Sequence, residues 1–238
     1  EKTVKKHFLR SWTNASPLKL IRDIHHAVFT IFNWIFLPLD IRGRENLLFV
    51  KEPALFIANH VSYLDHHAIM SALPSNMRKN TATAAWQEFF FSERGSFLKK
   101  IWKRFCFEYS TIFLNIFPIP QESGFRNTLI FMGKLADRGI NILIFPEGAR
   151  SPDGHMHDFM KGLGMMAKEL RIPVVPIKIT GIERVYPVGA IFPRRGRVGI
   201  TFGKPIFFGQ ESTDEILTVS RNEILALPDA REKSKLQR

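Results

Sequence analysis

Three apolar runs limit this chain more than any other feature: ALFIANH at 54–60, INILIF at 140–145 and IPVVPIKI at 172–179. Each is apolar at successive rather than alternate positions, so both faces of the strand it forms must be covered. Stretches of helical pattern lie between and after them, at 62–72, 124–138, 163–170 and 215–227. Strands alternating with helices predict an α/β fold, a single domain with a mostly parallel mixed β-sheet flanked by helices. Ser62 followed by Asp65 reads as a capping-box start, and Gly139 stops the helix over 124–138. IRGRENL at 41–47 reads as a short strand and turn. Pro173 and Pro176 predict strand ends or edge positions, and 197–208 predicts a further strand pair. A length of 238 residues suits one such core.

The N-terminal stretch does not fit that alternation. AVFTIFNWIFLPL at 27–39 is apolar almost all round, yet a spanning helix needs about 20 such residues. Two readings stand: a helix lying in the membrane interface, with Trp12 and Trp34 near the headgroups, or a buried core helix. FCFEYSTIFLNIFPI at 105–119 is likewise too interrupted to span. The chain therefore divides into a basic, apolar membrane-associating helical segment at 1–40, a main domain at 41–228 and a disordered tail at 229–238. It begins at Glu1 without Met, which reads as a fragment or a processed or trimmed form, and no secretory signal is visible at that start.

Charge and aromatic content narrow the partners. Lys+Arg 34 against Asp+Glu 22 gives a net charge of +12, a field that attracts phosphate-bearing molecules. Phe occurs 22 times and Tyr only 3 times, which favours a lipid surface over nucleic acid, whose binders set stacking aromatics among exposed basic residues. Lys99, Lys100, Lys103 and Arg104 beside Trp102 form either a solvated face or a grip for a phosphate or anionic headgroups. The single Cys106 excludes a disulfide framework and an all-Cys zinc site. Adjacent His66 and His67 point apart on a helix, so no metal site is expected.

Two strand ends carry chemistry. In NHVSYLD at 59–65 the chain reverses into a helix, so the Asp65 carboxylate can reach back to the His60 imidazole. A carboxylate there fixes the tautomer and stabilises the imidazolium, making His60 a candidate general base. FPEGARSPDG at 145–154 places Glu147 and Arg150 on a tight turn, and the Arg fork suits a phosphate or carboxylate. In open α/β sheets, sites form beyond the carboxyl ends of strands.

Taken together the two segments resemble the glycerolipid acyltransferase family, the PlsC-like 1-acyl-glycerol-3-phosphate acyltransferases. The first family block, Asn-His-x-x-x-x-Asp, is matched by Asn59, His60 and Asp65. The third, Phe-Pro-Glu-Gly-Thr-Arg-Ser, is matched by Phe145, Pro146, Glu147, Gly148, Arg150 and Ser151, with Ala149 in place of Thr. The apolar fourth block resembles VVPIKITG at 174–181, and the likeness covers roughly residues 40–210. The second block departs: FPIPQESG sets Gln121 where the family carries an Arg, and Arg126 stands close by as a substitute.

The resemblance implies an O-acyltransferase domain at 41–228 moving a fatty acyl group from acyl-CoA or acyl-carrier protein to a lysophospholipid, foremost 1-acyl-glycerol 3-phosphate. His60 would act as base, Asp65 would orient it, and Asn59, Glu147, Gly148, Arg150 and Ser151 would bind substrate. Gln121 and Arg126 are candidate acceptor contacts. No cofactor, metal or nucleic acid is implied, and peripheral membrane contact on the cytoplasmic face is. Another acceptor, such as glycerol 3-phosphate or a different lysolipid, and a non-catalytic lipid-binding domain are the alternatives.

Overall fold

The computed structural model of the chain describes residues 18–51, 53–86, 97–119, 125–151, 154–187 and 190–232. Helix α1 (Leu18–Phe36) leads to strand β1 (Leu39–Arg42), a 3-10 helix (Arg44–Phe49) and β2 (Leu55–Ala58). Then follow α2 (Asp65–Ala72), α3 (Ser75–Lys79), β3 (Thr81–Trp86), α4 (Phe97–Leu114) and β4 (Ile116–Ile119). The second half runs through α5 (Phe125–Ala136), β5 (Asn141–Ile144), α6 (Gly162–Leu170) and β6 (Val174–Thr180). It ends with α7 (Ile182–Val185), β7 (Val198–Phe202) and α8 (Thr213–Ala226).

The strands form one seven-stranded sheet in the order β1-β7-β6-β2-β5-β3-β4. Every pairing is parallel except β6 with β7. The continuous apolar runs are explained by cover on both faces. Leu55 and Ile57 of β2 point into a layer closed by Met132 and Leu135 of α5, Leu163 and Met166 of α6, and Ile216 and Ile224 of α8. Phe56 and Ala58 point the other way, against Ala68 and Ile69 of α2, and Ile182 and Val185 of α7. Burying a side chain such as Leu55 fully is worth roughly 1.5–3 kcal/mol. Two such layers make the sheet the rigid base from which the strand-end loops project.

Local signals end the helices where the composition requires. Ser212 caps α8 by accepting from Glu215 N, and the Glu215 carboxylate accepts from Ser212 N at 2.7 Å, a complete capping box. Gly139 follows α5 with φ +73°; a Cβ there would meet nothing within 4 Å, so the left-handed backbone alone favours glycine.

Several sequence expectations change. Helix α2 starts at Asp65, not Ser62. Ser62 is no cap; its hydroxyl accepts from Leu64 N and lies 3.2 Å from Tyr186 O, which it donates to. Pro176 lies inside β6, in the middle of the sheet. It is tolerated because β7 stops at Phe202: Pro176 O still accepts from Gly203 N, so only one ladder bond is lost. Residues 197–208 hold one strand and a single bridge, Val174 to Ile206, rather than a pair. Strands β3 and β4 were not expected, because TATAAW and IFPI lack a sustained apolar or alternating pattern.

The chain folds back after α8. Thr201 donates to Pro228 O, and Thr180 donates to the Asp229 carboxylate, which also pairs with Arg231. Of the tail expected at 229–238, residues 233–238 lie outside the described residues, and Asp229 and Arg231 make the contacts just given. Burial alone would raise the Asp229 carboxyl, but the bonds from Arg231 and Thr180 outweigh it and hold the group well below the ordinary carboxylate range. A depressed folded-state value means that this contribution is full above the unfolded pKa of about 4 and is lost as pH falls below it. In acid-unfolding curves, Asp229→Asn should be less stable than wild type near neutral pH, and the two should converge as pH falls. Curves separated by a constant gap would contradict the linkage.

Candidate active site

The sheet register brings the two chemistry-bearing loops together. In the parallel β2–β5 pair, Ile57 stands opposite Ile144. Continued three residues beyond that pair, the register sets His60 level with Glu147. The pairing is made by hydrogen bonds: His60 N donates to Glu147 Oε1 at 2.7 Å, and Ser151 N donates to His60 O at 2.8 Å. Asn59 extends β2 toward β6 with its side chain, Nδ2 donating to Ile179 O and Oδ1 accepting from Ile179 N. Both polar ends of Asn59 are thus used on backbone, as a strand would use them.

Asp65 opens α2 with no exposed surface, and its Oδ2 is the centre of the turn. That oxygen accepts from Val61 N at 2.7 Å and Ser62 N at 2.9 Å, and lies 2.8 Å from His60 Nδ1. An oxygen already accepting two N–H groups acts as an acceptor toward the imidazole too, so in the neutral ring Nδ1 carries the proton and Nε2 is the nitrogen free to accept one. The His60 ring also stacks on Phe145, with centroids 4.4 Å apart. Its orientation is set from two sides.

Glu147 is buried as well. Its second oxygen accepts from His157 N at 2.8 Å, so one carboxylate ties the loop after β2 to the loop after β5. Burial pushes the carboxyl above its ordinary range, against the backbone N–H groups and imidazoles of His157 and His60. Gly148 follows with φ +75°, and a Cβ there would lie 2.4 Å from Met160 Sδ. The turn requires glycine on both counts. Arg150 lies over the Tyr63 ring, 3.5 Å from its centroid.

These groups face a cavity of about 520 Å³. Exposed Tyr63 and Ala149, with half-exposed Arg150, line its outer part, and His60 faces the same space. The buried lining is apolar: Ile119, Ile144, Leu163 and Met166. Thr83, His66 and His67 add polar atoms, the His66 Nδ1 lying 3.1 Å from the Thr83 hydroxyl. Burial, then His25, pushes His66 down to about 3, so it is neutral at physiological pH. An imidazole nitrogen and a guanidinium at one end of an apolar chamber can accept a proton from a hydroxyl and hold an anion beside an apolar chain.

The residues of the first and third sequence blocks therefore meet, whereas Arg126 does not join them. It is exposed on α5 and does not line the cavity, and Gln121 lies outside the described residues. Sequence reasoning passed over Tyr63, Trp86, Thr83, His66 and His67 as cavity residues. For the histidines the signal was present, two imidazoles directly after Asp65; for Thr83 and Trp86 it required recognising β3.

The family model described as Acyltransferase matches residues 38–180, more than half of the chain. The chain belongs to the acyltransferase family. It is 27% identical over 211 residues to a chloroplastic 1-acyl-sn-glycerol-3-phosphate acyltransferase of Brassica napus, covering 85% of this chain and 56% of that protein. It is 27% identical over 193 residues to the chloroplastic enzyme so named from Arabidopsis thaliana, covering 78% of this chain and 49% of that protein. The chain thus spans about half the length of these curated relatives. Among solved structures, the 1-acyl-sn-glycerophosphate (LPA) acyltransferase PlsC from Thermotoga maritima superposes with a TM-score of 0.61 at 21% identity. That match covers 91% of this chain and 85% of PlsC, and establishes the shared fold.

The two-loop tie through Glu147 has a measurable consequence. In Glu147→Gln an amide NH2 replaces one acceptor oxygen and faces the N–H of either His60 or His157. The variant should lose about 1–3 kcal/mol of stability, seen as a lower urea midpoint at unchanged slope. An unaltered midpoint would mean that the tie contributes nothing.

Proposed function

We propose that this protein transfers an acyl group from an acyl thioester, acyl-CoA or acyl-carrier protein, to the hydroxyl of a phosphate-bearing lysolipid. The foremost acceptor is 1-acyl-glycerol 3-phosphate, giving phosphatidic acid. The observation that carries the reading is the His60–Asp65 pair facing an apolar cavity that Arg150 also lines. The names of the relatives support the same acceptor.

In this mechanism His60 Nε2 takes the proton of the acceptor hydroxyl as its oxygen attacks the thioester carbonyl. The tetrahedral intermediate then collapses with cleavage of the C–S bond. The imidazolium, stabilised by Asp65, returns the proton to the departing thiolate. No acyl-enzyme forms and no cofactor takes part. Arg150 holds the acceptor phosphate, while Asn59, Glu147, Gly148 and Ser151 hold the loops at their working separation.

A second acceptor reading has its own observation. Arg150 is the one Lys or Arg lining the cavity among the described residues, since Arg126 is exposed elsewhere. A single cation accommodates glycerol 3-phosphate or another lysolipid as readily, so an acceptor panel belongs in the assay. Thiol release from oleoyl-CoA should depend on acceptor and vanish in His60→Ala. Asp65→Asn should lose about 10⁴-fold in rate through the wrong tautomer. Arg150→Ala should raise the KM for a phosphorylated acceptor about tenfold or more with kcat less affected. Release without acceptor would indicate a thioesterase; vesicle binding without turnover would indicate a lipid-binding module.

We further propose that α1 and α4 seat the protein on a membrane surface. No helix among the described residues is long and apolar enough to cross a membrane. Yet α1 exposes Ile24, Val28, Ile31 and Trp34, and the adjoining α4 exposes Ile101, Trp102 and Phe105. The spacing in each helix makes one apolar stripe, the pattern of an interfacial helix. Trp34 is 77% and Trp102 65% exposed, so charging them should spare the core. The double variant Trp34→Glu/Trp102→Glu should lose sedimentation with anionic vesicles while keeping its melting temperature. Undiminished sedimentation would reject this face.

A further inference from the structure

A second cavity of about 100 Å³ lies among α1, α2, α3 and the end of α4. One water needs about 10–15 Å³ of such space, so there is room for a tetrahedral oxyanion and none for a nucleotide. Three cations line it, Arg22 and Asp23's neighbour Lys79 together with Arg78. Asp23 is the single carboxylate among the lining residues, and it lies 3.8 Å from Lys79. The hydrogen bond of Arg78 among the described residues is a long one, 3.4 Å to Ser75 Oγ.

Among the imidazoles of this cavity, His26 registers the neighbouring cations. His26 is pushed down to about 4, first by burial and then by Arg78, with Asp23 opposing. His67 lines the cavity with both ring nitrogens buried and without a hydrogen-bond partner among the described residues. Its ring stacks on Phe29, centroids 4.0 Å apart, which holds it in place. Asn115 lines the same space at φ +52° with its buried side-chain oxygen likewise unpartnered. Amide oxygen and nitrogen are interchangeable here, so Asn115 can turn a donor inward. Buried polar atoms are ordinarily satisfied, and orphaned ones point to a missing partner. Donors and cations converging from three helices ask for an acceptor-rich, negatively charged partner.

We propose that this cavity binds a phosphate group, held by Arg78 and Lys79 of α3 with His67 and His26 as the inner donors. The site is separate from the one that takes the acceptor phosphate and does not depend on the acyl-transfer reading. His67 lines both cavities and lies two residues beyond Asp65, so an anion here contacts the helix whose first residue orients His60. The phosphate has two sources to distinguish, a free phosphate or a phospholipid headgroup.

The test is a titration of the full chain followed by nitrogen-15 NMR of the histidine rings, at constant ionic strength. One arm uses inorganic phosphate, the other phosphatidylcholine vesicles with and without phosphatidic acid. The His67 and His26 rings should move saturably. Arg78→Gln and Lys79→Gln, both on a short surface helix, should each weaken the response at least about tenfold. Arg150→Ala should leave it unchanged, which distinguishes this site from the acceptor's. Saturation by inorganic phosphate identifies free phosphate as a sufficient ligand; a response only to phosphatidic acid vesicles identifies a headgroup. Rings unmoved in both arms overturn the proposal, as does a response that persists at full affinity in whichever of the two α3 variants folds.

Discussion

One carboxylate oxygen organises this protein's reactive end. Asp65 Oδ2 gathers two backbone N–H groups and the His60 imidazole in a fully buried position. Burying a carboxylate carries a desolvation penalty of several kcal/mol, and each hydrogen bond to a charged group returns roughly 1.5–3 kcal/mol. Three such bonds make the arrangement sustainable; losing any one leaves the charge under-compensated. The same three bonds close the turn after β2, start α2 and choose the tautomer of His60. Structure and chemistry are therefore not separable at this residue.

Glu147 repeats that logic one strand away. Its two oxygens each take a backbone N–H, from His60 and from His157, and burial raises its carboxyl above the ordinary range. Because β2 and β5 are parallel neighbours, their carboxyl ends lie side by side, and His60, three positions past Ile57, meets Glu147, three positions past its partner Ile144. Asn59 does the corresponding work toward β6. The three central strands are thereby joined beyond their ladders, which holds the His60 and Arg150 loops at one end of the apolar cavity.

Much of this was legible in the residues, for stated reasons. The runs at 54–60, 140–145 and 172–179 are apolar on both faces because helices cover both, and that pattern survives in one dimension. The five-residue step from His60 to Asp65 is local, so a turn can be inferred from it. The bracing roles of Asn59 and Glu147 are not local: Ile179 lies 120 residues from Asn59, and only the register makes them neighbours. Strand β3 was missed because Thr81, Thr83 and three alanines pack by being small rather than strongly apolar. Pro176 misled for the opposite reason, since its cost depends on where the adjacent strand stops.

The account depends on His60 presenting an unprotonated Nε2 to the cavity while Nδ1–H points at Asp65. Nitrogen-15 NMR of the His60 ring, at a pH above the imidazole pKa, measures that directly. The predicted spectrum has a protonated Nδ1 and a bare Nε2, and Asp65→Asn abolishes that preference. A wild-type ring protonated at Nε2 would contradict the account, because the nitrogen facing the cavity would then have no lone pair to accept a proton.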